Sequence, residues 1–281
     1  MPNASIDSLT SPTLKYLRER WWNDDFTEFL TERLRPRSGD RILDVGCGEG
    51  RAVVEIGRLH LAQIRLFGVD LMIERVMVAR RETASHNQRV GFAAADACDL
   101  PFRDGAFDAT FCVAVLQHLR DAEKAVIEFA RITAPGGHVV VVEPDNAARY
   151  SFSSAPSGKQ AFDTGARFFS ALAATRGEVS DAAVGPKVPL FFARHGIEAL
   201  DVRMFPVSST TLGPPPRAVW NNRIDSVTRA IEQASSEEVK AVGREYLAVL
   251  ETFAADAKAA GSAYVEIQNT MLFATVGQRM E

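Results

Sequence analysis

The chain of 281 residues is 46% hydrophobic and 24% charged, the balance of a folded globular protein and not of a disordered, fibrous or disulfide-stapled one. Thirty-two basic against thirty-six acidic residues leave a formal charge of −4, so no global field draws the chain to nucleic acid or to an anionic membrane. Cys47, Cys98 and Cys112 have neither metal-ligand nor CxxC spacing, no signal-peptide pattern opens the sequence, and no apolar run is long enough to span a bilayer. The expectation is a cytoplasmic protein with no metal, no nucleic-acid partner and no stable membrane insertion.

In chain order, apolar residues at helical spacing from Thr13 to Leu34 predict N-terminal helices, ended by Pro36 and a Ser-Gly-Asp turn. Arg41 to Val45 reads as a buried strand that enters a glycine-rich turn, and Arg51 to Leu61 as the helix that follows. The same step recurs: a strand over Ile64 to Asp70 with a helix to Ser85, then a strand over Val90 to Ala95. Strands at Ala109 to Val113 and His138 to Glu143 flank a helix from Ala122 to Ile132 and the breaker APGG. Such alternation predicts a parallel sheet with crossover helices. Beyond Pro144 the rhythm changes to helices at Gly158 to Arg176 and Val188 to His195 and a strand around Leu200, Val202 and Met204. Ser235 with Glu238 reads as a capping box opening a long helix closed by Gly261, and Tyr264 to Gly277 as a last strand.

Three strand ends carry the chemistry. In ILDVGCGEG, Asp44 ends a strand and Gly46, Gly48 and Gly50 alternate through the turn, where backbone can approach a ligand and adopt positive φ. A tight turn with no ligand is the competing reading of the glycines alone. Asp70 ends the next strand in FGVD, where a carboxylate can accept both hydroxyls of a ribose or simply cap a helix. Asp96 in AADACDLPF ends the third, placed to accept from an adenine amino group while the Ala97 backbone addresses a ring nitrogen. In open α/β sheets ligands sit outside the carboxyl ends of the strands, so the three carboxylates are expected to converge on one nucleoside. A nicotinamide dinucleotide is the rival ligand, but the turn is GxGxG and not GxGxxG.

Together and in order, ILDVGCGEG, FGVD, ADACDLPFRDGAFDATFCVAVLQHL and PGGHVVVVEP resemble the class I S-adenosylmethionine-dependent methyltransferases, and among them the branch of ubiquinone, menaquinone and small-molecule methyltransferases. The resemblance covers Arg41 to Asp145. It implies a Rossmann-like, doubly wound α/β fold with a seven-stranded sheet whose last strand inserts antiparallel, a helical N-terminal cap and a helical insertion before that strand. The expected layout is a single methyltransferase domain over 1–281: cap 1–38, cofactor-binding core 39–145, helices and strand completing the sheet 146–213, cap insertion 214–262 and last strand 263–281. By position, the resemblance puts Asp44 and the backbone of Gly46 and Gly48 against the methionine portion of S-adenosylmethionine, with Cys47 in the same turn and without a catalytic role. It puts Asp70 on the ribose, Leu71 on the adenine face, Asp96 and Ala97 on the adenine edge, and the Val113 carbonyl on the methionine ammonium. Gly50 is expected to admit close helix packing.

Methyl transfer is an in-line displacement in which oriented proximity can supply roughly 7 to 11 kcal/mol, so a dedicated base is optional. His118 in VLQHL is the candidate base for a hydroxyl or amine acceptor, with a structural histidine as the alternative. Arg20 and Trp21 are expected to close over the cofactor, and Tyr16, Trp22, Tyr150, Phe168, Trp220 and Asn221 to line the substrate pocket. His138 and His195 read as structural. The expected function is transfer of a methyl group to O, N or C of a small, partly apolar molecule in an enclosed pocket. A quinone or lipid methyltransferase and a non-catalytic S-adenosylmethionine-binding scaffold are the alternatives; a homodimer is compatible with either.

Overall fold

The computed structural model describes residues 21–58, 64–86, 90–175, 181 and 183–281. The expected cofactor and substrate contacts Arg20 and Tyr16 lie outside them. The chain divides into two compact units, residues 1–147, 180–207 and 271–281 in the first and 148–179 and 208–270 in the second.

The first unit opens with α1 (Asp24–Leu34). Asn23 starts it: its backbone is extended, and its side-chain oxygen accepts the Phe26 N–H at 2.9 Å. Of the expected helical stretch from Thr13 to Leu34, residues 13–20 lie outside the described residues. Phe26, Phe29, Leu30 and Leu34 form the buried stripe of α1. Then come β1 (Arg41–Val45), α2 (Arg51–Arg58), β2 (Arg65–Asp70), α3 (Ile73–Ser85), β3 (Val90–Ala94), β4 (Phe107–Val113), α4 (Ala122–Ile132) and β5 (Thr133–Asp145). β5 begins directly after α4, because the APGG stretch joins the sheet: Thr133 pairs with Phe107, and the register shifts before His138 pairs with Ala109.

Within this unit the strand order is β3-β2-β1-β4-β5-β8, with β7 (Ile197–Leu212) paired to β8 (Val265–Arg279). β1 to β5 are parallel neighbours and β8 runs antiparallel to β5, from His138 opposite Gln278 to Asp145 opposite Met271. These seven strands form the Rossmann-like sheet that the resemblance implies. One apolar layer packs α1 and α2 on Ile42, Phe111, Val140 and Val142; the other packs α4 and α6 (Val188–Arg194) on Leu43, Cys112, Val139 and Val141. Side chains at alternate strand positions thus feed two cores, which is why these strands are apolar throughout.

The second unit holds β6 (Ser151–Ser153), α5 (Gly158–Thr175), α7 (Arg217–Gln233) and α8 (Glu237–Ala260). β6, an eighth strand with too little apolar character to stand out in sequence, pairs with the start of β8. α5 shares one core with α7 and α8 through Phe168, Trp220, Leu250, Phe253 and Tyr264. This grouping differs from the expected layout, in which 146–213 completes the sheet and only 214–262 forms a cap. The α8 cap is also one residue later than its sequence signature: Ser236, not Ser235, accepts the Val239 N–H.

Candidate functional site

β1 delivers Asp44 to the carboxyl edge of the sheet, and Gly46, Gly48 and Gly50 follow with φ of +73°, +54° and +87°. The turn is tied to β2, since the Gly46 and Cys47 N–H groups both donate to the Val69 carbonyl at 2.7 and 2.8 Å. The Gly48 N–H donates to Asp70 Oδ2 at 2.9 Å, and Asp70 Oδ1 accepts the Met72 N–H at 2.9 Å. Each glycine has its own reason. A Cβ on Gly46 would sit 2.4 Å from Val115 Cγ2, and one on Gly50 would press on Ala79 of α3, as expected of a packing glycine. A Cβ on Gly48 would meet nothing within 4 Å, so there the turn faces open space.

That space is a cavity of about 790 Å³ lined by Asp44, Gly46, Cys47, Gly48, Asp70, Leu71, Asp96, Ala97, Val113, His118, Trp21 and Trp22, among others. The structure thus brings together every described residue expected at the cofactor, and adds Trp22 to them. Asp44 is buried and its Oδ2 has no hydrogen-bond partner, an orphan that a bound donor would satisfy. Burial, with the Asp70 charge adding to it, holds the Asp44 carboxyl well above the usual carboxylate range. Burial, then Asp44 and Asp70, likewise pushes the Cys47 thiol up. Leu71 is 71% exposed, an apolar surface offered to the cavity. Asp96 is exposed; its Oδ1 accepts the Cys98 N–H at 2.8 Å and so holds the Ala97 loop.

A further part of the cavity lining comes from the segment after β4. Ala114 has φ of +58°, its N–H donates to the Val142 carbonyl, and a single helical turn over Leu116–His118 follows. Glu143, fully buried on β5, holds this segment: Oε1 accepts the Val115 and Leu116 N–H groups at 2.7 Å each, and Oε2 accepts Gln117 N–H at 3.3 Å. Sequence reasoning missed this residue, although a carboxylate ending the apolar run VVVVE was the available signal. His118 is exposed at the cavity lining.

Of the described residues expected at the substrate pocket, Trp22 lines this cavity, and Tyr150, Phe168, Trp220 and Asn221 belong to the second unit. Phe168 is a correction: it is fully buried in the core of the second unit, beside Tyr246, and packs where it was expected to contact substrate. Trp220 is also buried there, edge-on to Phe253 with the Arg223 guanidinium over its ring at 4.8 Å. Tyr150 and Asn221 are exposed. Among the described residues no group of His, Cys, Asp and Glu could hold a metal, and no helix is long and apolar enough to cross a membrane.

Residues 43–141 match a family model described as a methyltransferase domain. An O-methyltransferase of Penicillium expansum is 31% identical over 155 residues, 50% of this chain and 55% of that protein. Another, from Aspergillus nomiae, is 30% identical over 149 residues, 48% of this chain and 65% of that protein. The matched part of the chain thus spans between about half and two thirds of these relatives. The crystal structure of the YcgJ protein from Bacillus subtilis shares the fold, with a TM-score of 0.59 at 18% identity over 91% of this chain and 98% of that one. Glycine turn, strand-end carboxylates and sheet order agree with these matches, which identify residues 43–141 as a methyltransferase domain.

Proposed function

We propose that the chain transfers a methyl group from S-adenosylmethionine to an O, N or C atom of a small, partly apolar organic molecule. The observation that carries this reading is the convergence of Asp44, Asp70 and Asp96 with the open Gly48 turn on one cavity. The orphaned Asp44 oxygen and the ligand-sized space over Gly48 fit that cofactor, which when bound supplies an electrophilic methyl group on sulfur. O-methyltransferases among the relatives support a small-molecule acceptor.

Asp44 and the Gly46 and Gly48 backbone would hold the amino-acid portion, and the carbonyl of Val113 its ammonium. Asp70, its two oxygens each still able to accept one more hydrogen bond, would hold the ribose hydroxyls. Leu71 would cover the adenine face, with Asp96 and Ala97 at its edge. Trp21 and Trp22 would exclude water from the methyl group. Orientation supplies most of the rate, and His118 at the cavity wall would take the proton of a hydroxyl or amine acceptor.

Calorimetric titration with S-adenosylmethionine and, separately, with NAD tests the cofactor. Saturable binding of the first alone is expected; binding of NAD alone, or of neither by folded protein, overturns the reading. With an acceptor in hand, His118→Ala is expected to lower kcat by roughly 10²- to 10⁴-fold at unchanged cofactor affinity. Normal turnover by that variant would assign the histidine to structure only. Cofactor binding without turnover across broad acceptor panels would favour the scaffold reading instead.

A further inference from the structure

Four buried side-chain polar atoms among the described residues have no hydrogen-bond partner: Asp44 Oδ2, Arg33 Nε, His138 Nδ1 and Thr275 Oγ1. The first belongs to a residue lining the candidate cofactor cavity. The next two belong to residues that line one other cavity, of about 260 Å³, bounded by Arg33, Arg35, His138, Leu200, Asp201 and Val276 and sharing no residue with the first. A buried donor or acceptor left unpaired costs roughly 1–3 kcal/mol, so two on residues that line one cavity point to a missing occupant.

The cavity lies toward the other end of the sheet. His138 pairs with Ala109 where β4 begins, whereas Val142 pairs with Val113 where β4 reaches the cofactor edge. Four residues along β5 separate these positions by roughly 13 Å. The last turn of α1 and its cap supply Arg33 and Arg35, β7 supplies Leu200 and Asp201, and β8 supplies Val276.

Its charge is positive. The Asp201 carboxylate is already matched twice, by Arg33 Nη2 at 3.1 Å and Arg203 Nε at 3.3 Å. Arg33 spends that nitrogen on Asp201, and its buried Nε has no partner. Arg35, held in the left-handed region at φ +44° as the cap of α1, has no carboxylate partner among the described residues. Arg37 also acts electrostatically on His138, opposed by Asp40. Two guanidiniums thus stand against one carboxylate in the lining, beside an imidazole whose pKa burial, Arg35 and Arg37 lower and whose Nδ1 has no partner.

We propose that this cavity binds a small oxyanion, a phosphate or carboxylate group, through Arg33 Nε, the Arg35 guanidinium and His138 Nδ1. Nothing in this assignment depends on methyl transfer.

The test is titration of the full chain with inorganic phosphate, sulfate and acetate, each at constant ionic strength balanced with chloride, read by calorimetry and by thermal melting. One saturable site is expected for at least one of the three, accompanied by a rise in melting temperature. Arg35→Gln and His138→Ala are each expected to weaken it tenfold or more, while Asp70→Ala leaves it unchanged. Preference for phosphate over acetate would identify a phosphoryl ligand, and the reverse a carboxylate. No saturable binding of any of the three would overturn the proposal and leave the orphaned groups to water only. Binding that persists in both variants, or that S-adenosylmethionine displaces, would overturn it too, by moving the anion to the glycine turn. Arg35 lies at a helix end, so Arg35→Gln decides the matter even if His138→Ala does not fold.

Discussion

Asp44 carries a cost in the ligand-free protein. Its carboxyl is held above its unfolded value first by burial and then by Asp70, so its contribution to stability is complete below the unfolded carboxylate range and is lost as pH rises through the folded value. At neutral pH the charged form opposes folding, and an amide of the same shape would not. Asp44→Asn is therefore expected to raise the melting temperature of the ligand-free protein by a few degrees at pH 7 and to change it little near pH 4. The same substitution removes a charge-assisted hydrogen bond to the cofactor, about 1.5–3 kcal/mol, and is expected to weaken S-adenosylmethionine binding roughly 10- to 150-fold. Melting curves at both pH values and a titration check the pair of effects; a variant that loses both stability and affinity would contradict it. Asp44, Asp70 and Asp96 were legible in the sequence because each ends a strand whose apolar run is unmistakable. Phe168 was misread for the complementary reason: an aromatic residue on a helix looks the same whether it faces a ligand or a core.

At the scale of elements, the glycine turn separates two kinds of constraint. Gly46→Ala adds the strain of left-handed backbone, about 1–2 kcal/mol, to an overlap with Val115 at 2.4 Å worth roughly 1–3 kcal/mol more. Gly48→Ala adds only the backbone strain, since its Cβ would meet nothing within 4 Å. Gly46→Ala is thus expected to lose several kcal/mol of stability, and Gly48→Ala to stay folded yet lose cofactor affinity. Denaturant titration beside calorimetry distinguishes them, and equal stability losses would refute the assignment. The turn could be placed from sequence because glycine spacing announces it. The segment after β4 could not, because what shapes it is a carboxylate 26 to 28 residues away: Glu143 on β5 accepts three consecutive N–H groups from Val115 to Gln117. Pairings of that separation leave no local pattern. The cap of α8 moved by one residue for a smaller reason, since Ser235 and Ser236 are chemically equivalent candidates and only the backbone chooses.

For the whole molecule, the sequence disclosed the α/β alternation, and the family resemblance implied the antiparallel last strand, but neither disclosed the partition into two units. Helix α5 reads as one more amphipathic segment after β5, and only the three-dimensional match of Phe168 with Trp220, Leu250 and Phe253 assigns it to the helical core. Net charge, by contrast, is a global quantity that sequence states outright. At −4 the molecule is expected to show no binding to unstructured RNA in filter assays at about 50 mM salt, where even a modest set of phosphate contacts is strongly favoured. Retention that falls steeply with added salt would reveal a basic surface and reopen a nucleic-acid substrate.

The path of β8 has a further consequence. Its residues Met271 to Gln278 lie against β5 along almost the whole length of that strand, and β7 pairs with β8. During synthesis on a ribosome, β1 to β5 emerge more than a hundred residues before this strand does, so the flank of β5 stays unpaired until translation of the chain nears Glu281. A premature stop codon between the end of α8 and Met271 would therefore leave every residue expected at the cofactor encoded and still deny the sheet its inner strand. Such a product is expected to be a client of chaperones and proteases, and not a weakened enzyme.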